Sequence, residues 1–199
     1  MRLQIISPQD RLRAAVETMV RDVYRSEYGA DSPHFPDLMV AVIDAAGRPQ
    51  CTAGFRDHTC QFFSEQYLTQ PAQSVIATQI GEPVSRDQVV ELGPLAAIRP
   101  GALLTLLIGF AHIGLGSGYH WGIFTATDRL RRLAQRLGIP LIDLGPALPG
   151  NIANAAAWGS YYDHDPRVCA VDGQAARQRL LTSRLPSSAE PQYREALAS

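Results

Sequence analysis

The segment from residue 87 to residue 145 constrains the fold most, because strand-like and helix-like apolar stretches alternate along it. The pattern predicts strand, helix, strand, helix, strand. The first of these strands, 87–95, contains Glu91, which is followed by Gly93-Pro94. Glycine has no side chain to pack and proline has no N–H for a sheet ladder. We therefore expect a bulge or a splayed strand end beside Glu91.

The flanking sequence predicts further helices and strands. Ser7-Pro8 has the composition of a helix start, and β-branched runs on either side of Gly47 indicate a hairpin. The order predicts an α/β fold with a central mixed sheet flanked by helices. We expect one domain over 1–184 and a flexible tail over 185–199. The outer elements are helix 7–26, strands 38–44 and 50–56, a short aromatic helix or turn 62–68, helix 71–80, helix 148–158, strand 167–171 and helix 174–184.

Charge and composition exclude several classes of protein. The 199 residues include 18 basic and 19 acidic side chains, so no basic excess indicates a nucleic-acid or anionic membrane partner. Three cysteines without metal-type spacing favour a reduced compartment. Residues 1–25 contain acids where a secretory signal needs an apolar run, and the apolar run 102–115 is too short to span a bilayer. We expect a cytoplasmic protein.

Six short motifs along residues 20–172 occur in an order that resembles the thermostable haemolysin family. Individually they are weak signals, and together they are specific. The motifs are Tyr24 with Tyr28-Gly29-Ala30, Ala53-Gly54-Phe55-Arg56, Phe63-Ser64-Glu65-Gln66-Tyr67-Leu68, Val90-Glu91-Leu92-Gly93-Pro94-Leu95-Ala96, Trp121 with Phe124-Thr125-Ala126-Thr127, and Trp158-Gly159-Ser160-Tyr161-Tyr162.

The haemolysin family is itself similar to the GNAT-type acyltransferases and, among them, to the autoinducer (acyl-homoserine-lactone) synthases. The resemblance implies a GNAT-like fold and the transfer of an acyl group from a thioester to the amine of a small molecule. It implies no tightly bound cofactor. The co-substrate would be an acyl-coenzyme A or an acyl carrier protein, and the carrier protein would then be a partner.

Glu91 is the residue that we expect to act as general base, because acids in apolar strands are rarely left unpaired and burial shifts their proton affinity. The alternative for Glu91 is a structural ion pair with Arg56. The resemblance implies that the Gly93 and Leu95 amides polarise the thioester carbonyl. Arg56 pairs with Glu91 or Glu65, binds a carboxylated acceptor, or is an ordinary surface charge.

The remaining candidates are aromatic or hydroxyl residues. Tyr161 or Tyr162 could protonate the departing thiolate, although packing is the alternative for both. Glu65 could contact the acceptor amine, and Thr125 could face the acyl channel. Tyr28 and Trp158 complete the substrate-binding set that the resemblance implies.

Two features depart from the family patterns. Pro94 stands where the family usually has asparagine after the glycine of its Glu-Leu-Gly motif. The junction Arg99-Pro100-Gly101-Ala102 has one glycine, where GNAT enzymes have a glycine-rich pyrophosphate turn. A helix start at Arg99, Gly101 and Ala102 still offers amides to an anion. The reduced turn keeps a carrier-protein thioester open as the donor.

Functions other than acyl transfer fit the sequence less well. A membrane-active lysin would need an apolar surface patch or a released segment, and the sequence offers neither. A non-catalytic GNAT-like binding module would fit the reduced turn. A nucleophile formed by His58 and Cys60 lacks a third orienting group. The run Asp163-His164-Asp165 has the wrong spacing for a compact metal site, so we expect no metal.

Overall fold

The computed structural model describes residues 1–31 and 34–182 and contains a seven-stranded sheet of order β1-β2-β3-β4-β5-β7-β6. The first four strands are antiparallel neighbours, β4 and β5 are parallel, and β5, β7 and β6 are again antiparallel. The predicted mixed sheet is confirmed. The strands are β1 (Arg2–Ile6), β2 (Leu38–Ile43), β3 (Pro49–Arg56), β4 (Val89–Ala97), β5 (Trp121–Ala126), β6 (Ile142–Pro146) and β7 (Arg167–Asp172).

Helices cover both faces of this sheet. Alternate residues of β2 show the two sides, since Met39 packs in the core under α1 while Val40 packs in the core under α3. Helix α2 covers the same face as α1, and α4 and α5 lie on the face of α3. The helices are α1 (Arg13–Tyr28), α2 (Ala72–Ile80), α3 (Pro100–Gly116), α4 (Asp128–Arg136) and α5 (Gly173–Thr182).

Several predicted boundaries were wrong for local reasons. Strand β1 was not predicted. Helix α1 begins at Arg13 rather than Ser7, because the Asp10 carboxylate accepts the Leu12 N–H and closes a turn before the helix. The predicted helix over 148–158 is two separate 3₁₀ turns, Pro149–Asn151 and Ala155–Trp158. The sequence predicts the next strand over 139–144, whereas β6 begins three residues later, at Ile142.

The middle of the chain follows the predicted pattern closely. The hairpin, the 3₁₀ turn Phe63–Tyr67, the β4–α3–β5–α4 run and α5 are all present. None of the helices in the described part of the chain is both long and apolar enough to cross a membrane. The predicted tail, 185–199, lies outside the described residues.

Candidate active site

Strands β4 and β5 separate halfway along their length and leave a gap in the sheet. They pair only from Val89↔Trp121 to Glu91↔Ile123, although β4 runs on to Ala97. A cavity of about 490 Å³ occupies the gap, within the range of small-molecule sites. Aromatic side chains of α1 and of the 155–161 segment line one part of the cavity, and aliphatic side chains of α3, α4 and α5 line the other.

The bulge predicted at Gly93-Pro94 is present. Leu92 pairs with Phe55, and the next pair is Leu95 with Ala53. Between these two pairs β4 therefore contains one residue more than β3. The two strands approach closely here, since a Cβ on Gly54 would overlap the Gly93 carbonyl oxygen. Only glycine fits at position 54.

The bulge also turns the Leu95 amide toward the gap. Beyond the bulge, the Ile98 N–H donates to the Gln50 carbonyl on the β3 side. Because the direction of the N–H alternates along a strand, the Leu95 N–H points to the opposite side, away from β3. β5 has already diverged from β4 at this point. The sheet therefore presents an amide donor at the free edge of β4.

Glu91 lies in the cavity wall and is only 2% exposed. Its Oε1 accepts the Ser64 N–H at 2.6 Å, and its Oε2 accepts the Phe63 N–H at 2.7 Å and the Arg56 Nη1 at 3.2 Å. A carboxylate has about four acceptor positions, so three are occupied. The carboxylate therefore accepts the first two N–H groups of the 3₁₀ turn Phe63–Tyr67 and has one acceptor position left for a further partner.

Arg56 connects Glu91 to the bulge. Its Nη1 also donates to the Gly93 carbonyl at 3.1 Å, and its Nη2 donates to the His34 carbonyl at 3.4 Å. The Arg56 side chain is 12% exposed and lines the cavity. Of the partners considered from sequence, the structure gives it Glu91 and not Glu65.

A pair of hydroxyls lies next to Glu91. The Ser64 and Thr125 hydroxyl oxygens are 3.0 Å apart, and both residues line the cavity. This contact joins the turn that carries the Glu91 partners to strand β5, across the gap. Ser64 was not identified from the sequence as a site residue, because nothing local distinguishes it from its polar neighbours Glu65 and Gln66.

The tyrosines divide into two groups. Tyr161 lines the cavity, and burial raises its pKa well above the ordinary value, so the phenol stays neutral and keeps its proton. Tyr162 is not part of the cavity lining. Its hydroxyl pairs with the hydroxyl of Tyr67 at 2.9 Å, and Tyr67 lines the cavity. Of the two candidate acids, the structure brings only Tyr161 to the cavity.

Tyr28 and Trp158 close the aromatic side of the cavity. The Ser160 N–H donates to the Tyr28 carbonyl at 2.8 Å, which ties the end of α1 to the 155–161 segment. The Tyr161 ring packs against Tyr28 and Trp158, with centroids 5.2 Å from each. At the rim, Glu27 of α1 pairs with Arg129 of α4 at 3.1 Å.

Glu65 does not reach the cavity. Its carboxylate accepts both terminal nitrogens of Arg86, at 2.6 and 3.1 Å, and the Ala72 N–H at 2.9 Å. Burial alone would raise the Glu65 pKa, but these hydrogen bonds outweigh it and leave the pKa below the ordinary value. The expected contact between Glu65 and an acceptor amine is therefore replaced by a cap on the first turn of α2.

The start of α3 offers few amides to an anion. Pro100 has no N–H, and the Ala102 and Leu103 N–H groups both donate to the Arg99 carbonyl. Within the described residues, Gly101 is left as the open donor of this turn. The Ala102 side chain is fully buried, and Arg99 is exposed.

Three solved structures share this fold at low sequence identity. The acyl-homoserine-lactone synthase LasI has 14% identity and a TM-score of 0.63, over 92% of this chain and 95% of that chain. The coenzyme-A-dependent acyl-homoserine-lactone synthase BjaI, solved with SAM and isopentyl-CoA, has 13% identity and a TM-score of 0.60, over 100% and 99%. FeeM, an N-acyl amino acid synthase from uncultured soil microbes, has 13% identity and a TM-score of 0.61, over 90% and 99%.

These likenesses show the GNAT-like fold. No curated protein matches the chain. The family model described as thermostable hemolysin matches residues 6–177, which is most of the sequence and includes all of the cavity motifs. The chain therefore belongs to the thermostable hemolysin family.

Proposed function

We propose that the protein is an N-acyltransferase that moves an acyl group from a thioester to the amine of a small molecule. The observation that carries this proposal is the cavity at the point where β4 leaves β5, with the buried Glu91 carboxylate in its wall and the free edge of β4 beside it. The three similar structures are named as acyl-homoserine-lactone or N-acyl amino acid synthases, and their shared fold supports the same class of reaction here.

The proposed roles follow from position. Glu91 acts as general base, through a water at its open acceptor position, and takes a proton from the attacking amine. The thioester carbonyl lies against the free edge of β4 near Gly93 and Leu95, where an amide donor faces the gap. Tyr161, neutral at physiological pH, protonates the departing thiolate.

The cavity suits a fatty acyl donor. Its lining includes Leu103, Leu106, Leu107 and Phe110 of α3, which provide a mostly aliphatic wall long enough for more than an acetyl group. Both coenzyme A and a carrier protein remain donors in this proposal. The single open amide at the start of α3 favours the carrier protein, since a pyrophosphate is normally held by several amides.

The acceptor enters on the aromatic side. Tyr28, Trp158 and Arg56 line that part of the cavity, and Thr125 lies between it and the acyl wall. We infer an amine on a small molecule such as an amino acid derivative, by analogy with the acceptor class that the FeeM description names. The free thiols of Cys51, Cys60 and Cys169 are consistent with action in the cytoplasm.

A thiol-release and intact-mass screen tests the proposal. Purified protein is incubated with acyl-coenzyme A and acyl-carrier-protein donors of several chain lengths against a panel of amines. We expect acylated amine and free thiol in a fixed ratio. Thioester binding without transfer to any amine would indicate a binding module instead, and leakage of neutral vesicles by the protein would indicate a lysin.

The Glu91→Gln variant tests the base. At a temperature below its own melting transition, we expect its kcat to fall by about 10²–10⁴-fold, while the affinity for a non-reactive acyl thioether stays within a few-fold of wild type. Turnover close to wild type would remove Glu91 from the mechanism and leave it a structural role.

A further inference from the structure

Tyr24 brings a buried phenol into the cavity beside β4, where it packs in the same core cluster as Ala96. It belongs to α1, is 7% exposed and lines the cavity. Its ring packs edge-on against Tyr28 and Trp158, with centroids at 5.6 and 6.1 Å, and stacks on Tyr161 at 6.4 Å. Because three aromatic rings surround it, the Tyr24 ring has little freedom to move its hydroxyl.

The Leu95 N–H lies close enough to the Tyr24 hydroxyl to stabilise negative charge on its oxygen. This is the amide that the bulge turns toward the gap. Tyr24 and Leu95 both line the cavity. A substrate carbonyl at this part of the β4 edge therefore meets both donors.

Among the described residues, the hydroxyl proton of Tyr24 has no hydrogen-bond acceptor. The neighbouring Tyr67 phenol is engaged differently, since its hydroxyl bonds to the hydroxyl of Tyr162. A buried hydroxyl that lines a cavity and has no partner of its own is available as a hydrogen-bond donor to whatever fills that cavity.

Electrostatics keeps that proton in place. Burial, with a smaller contribution from Tyr28, raises the pKa of Tyr24 well above the ordinary value for tyrosine. The phenol is therefore neutral at physiological pH. The Leu95 N–H acts in the opposite sense and stabilises negative charge on the oxygen, which makes the hydroxyl a stronger donor.

We propose that the Tyr24 hydroxyl, next to the Leu95 amide, is a second group that hydrogen-bonds the thioester carbonyl oxygen and stabilises the oxyanion. This inference rests on the proposed acyl transfer. As the amine nitrogen bonds to the carbonyl carbon, the carbonyl electron pair moves to oxygen and is held by Tyr24. The C=O bond then re-forms, and the C–S bond breaks. The amine proton goes to Glu91 and the thiolate takes a proton from Tyr161. The Glu91 proton then returns to Tyr161 through water, so that the net transfer is from amine to thiol, while Tyr24 keeps its own proton throughout.

The Tyr24→Phe variant tests the assignment, because it retains the packed ring and removes only the donor. We expect kcat to fall by about 10²–10³-fold with little change in KM, the effect of losing one oxyanion donor. Tyr119→Phe is the matched control, since it removes a phenol hydroxyl that also lines the cavity but precedes β5, at the paired end of β4 and β5 and not at the Leu95 amide. We expect the control to keep kcat within about twofold of wild type.

An infrared measurement separates a catalytic role from a packing role and needs no acceptor. With a ¹³C-labelled acyl thioester bound, the carbonyl stretch is expected at lower frequency in the wild type and in Tyr119→Phe than in Tyr24→Phe. Equal frequencies, or an unchanged kcat in Tyr24→Phe, would overturn the role of Tyr24 and leave acyl transfer standing. A wild type that shifts the carbonyl but transfers to no amine would instead contradict the proposed function.

Discussion

Replacing Glu91 by glutamine is expected to destabilise the fold as well as the reaction. The structure directs three donors at this carboxylate: the Phe63 and Ser64 N–H groups and the Arg56 guanidinium. Glutamine is isosteric, but one of its terminal atoms is an NH₂ group. If the NH₂ group takes the Oε1 position, it faces the Ser64 N–H. If it takes the Oε2 position, it faces both the Phe63 N–H and the Arg56 guanidinium. At least one buried donor therefore loses its acceptor.

The magnitude follows from these contacts. A buried donor left without a partner costs about 1–3 kcal/mol, and loss of the carboxylate charge beside the largely buried Arg56 adds to that. Arg56 keeps the carbonyls of Gly93 and His34, which limits the second contribution. We expect a total of about 2–4 kcal/mol. For a chain of this size, that lowers the Tm by roughly 4–16 °C.

Thermal and urea unfolding of Glu91→Gln and of Glu27→Gln provide the comparison. Glu27 pairs with Arg129 at the surface, with about half of its side chain exposed, so the same substitution there should cost less than about 1 kcal/mol. A Glu91 variant that is no less stable than the Glu27 variant would show that the carboxylate does not hold the Phe63–Tyr67 turn, and the site geometry described above would be wrong.

Three further outcomes are expected. Gly54→Ala should destabilise the protein by about 1–3 kcal/mol or more in urea unfolding, because its Cβ would overlap the Gly93 carbonyl, whereas Gly101→Ala, which meets open space in α3, should not; equal effects would contradict the close approach. Ala111→Leu, in the aliphatic wall, should shift the preferred donor to a shorter acyl chain in the thiol-release screen, and an unchanged preference would place the acyl chain elsewhere. Because the folded-state pKa of Glu65 is depressed, its contribution to stability is present above its unfolded value of about 4.3 and is lost as the pH falls through the folded value. The free energy of unfolding of Glu65→Gln, measured with urea, should therefore fall less between pH 7 and pH 3 than that of the wild type. The same fall in both proteins would refute the capping role.

Predictions from sequence were most accurate where a residue pattern alone dictates the local structure. The alternation of strand-like and helix-like apolar stretches over 87–145 predicted the β4–α3–β5–α4 run. The Gly93-Pro94 pair predicted the bulge, since a missing Cβ and a missing N–H disrupt any ladder. The pattern misled where side chains compete locally. Asp10 closed a turn in front of α1, and Pro149 with Gly159 bounded two short turns where one helix was expected.

The sequence by itself determined the mixed sheet, its helices on both faces, and the break beside an acid at position 91. Only the tertiary structure decided which groups that acid and its neighbours meet. Glu91 accepts the N–H of Phe63, which lies 28 positions away in the sequence. The hydroxyl pair Ser64 and Thr125 is separated by 61 positions, and the hydroxyl pair Tyr67 and Tyr162 by 95. Local periodicity carries no information on such pairs, because they depend on how α1, the 63–67 turn and the two halves of the sheet pack. For that reason Glu65 was expected in the site and lies outside it, while Tyr24 was expected only as part of a motif and stands at the free edge of β4.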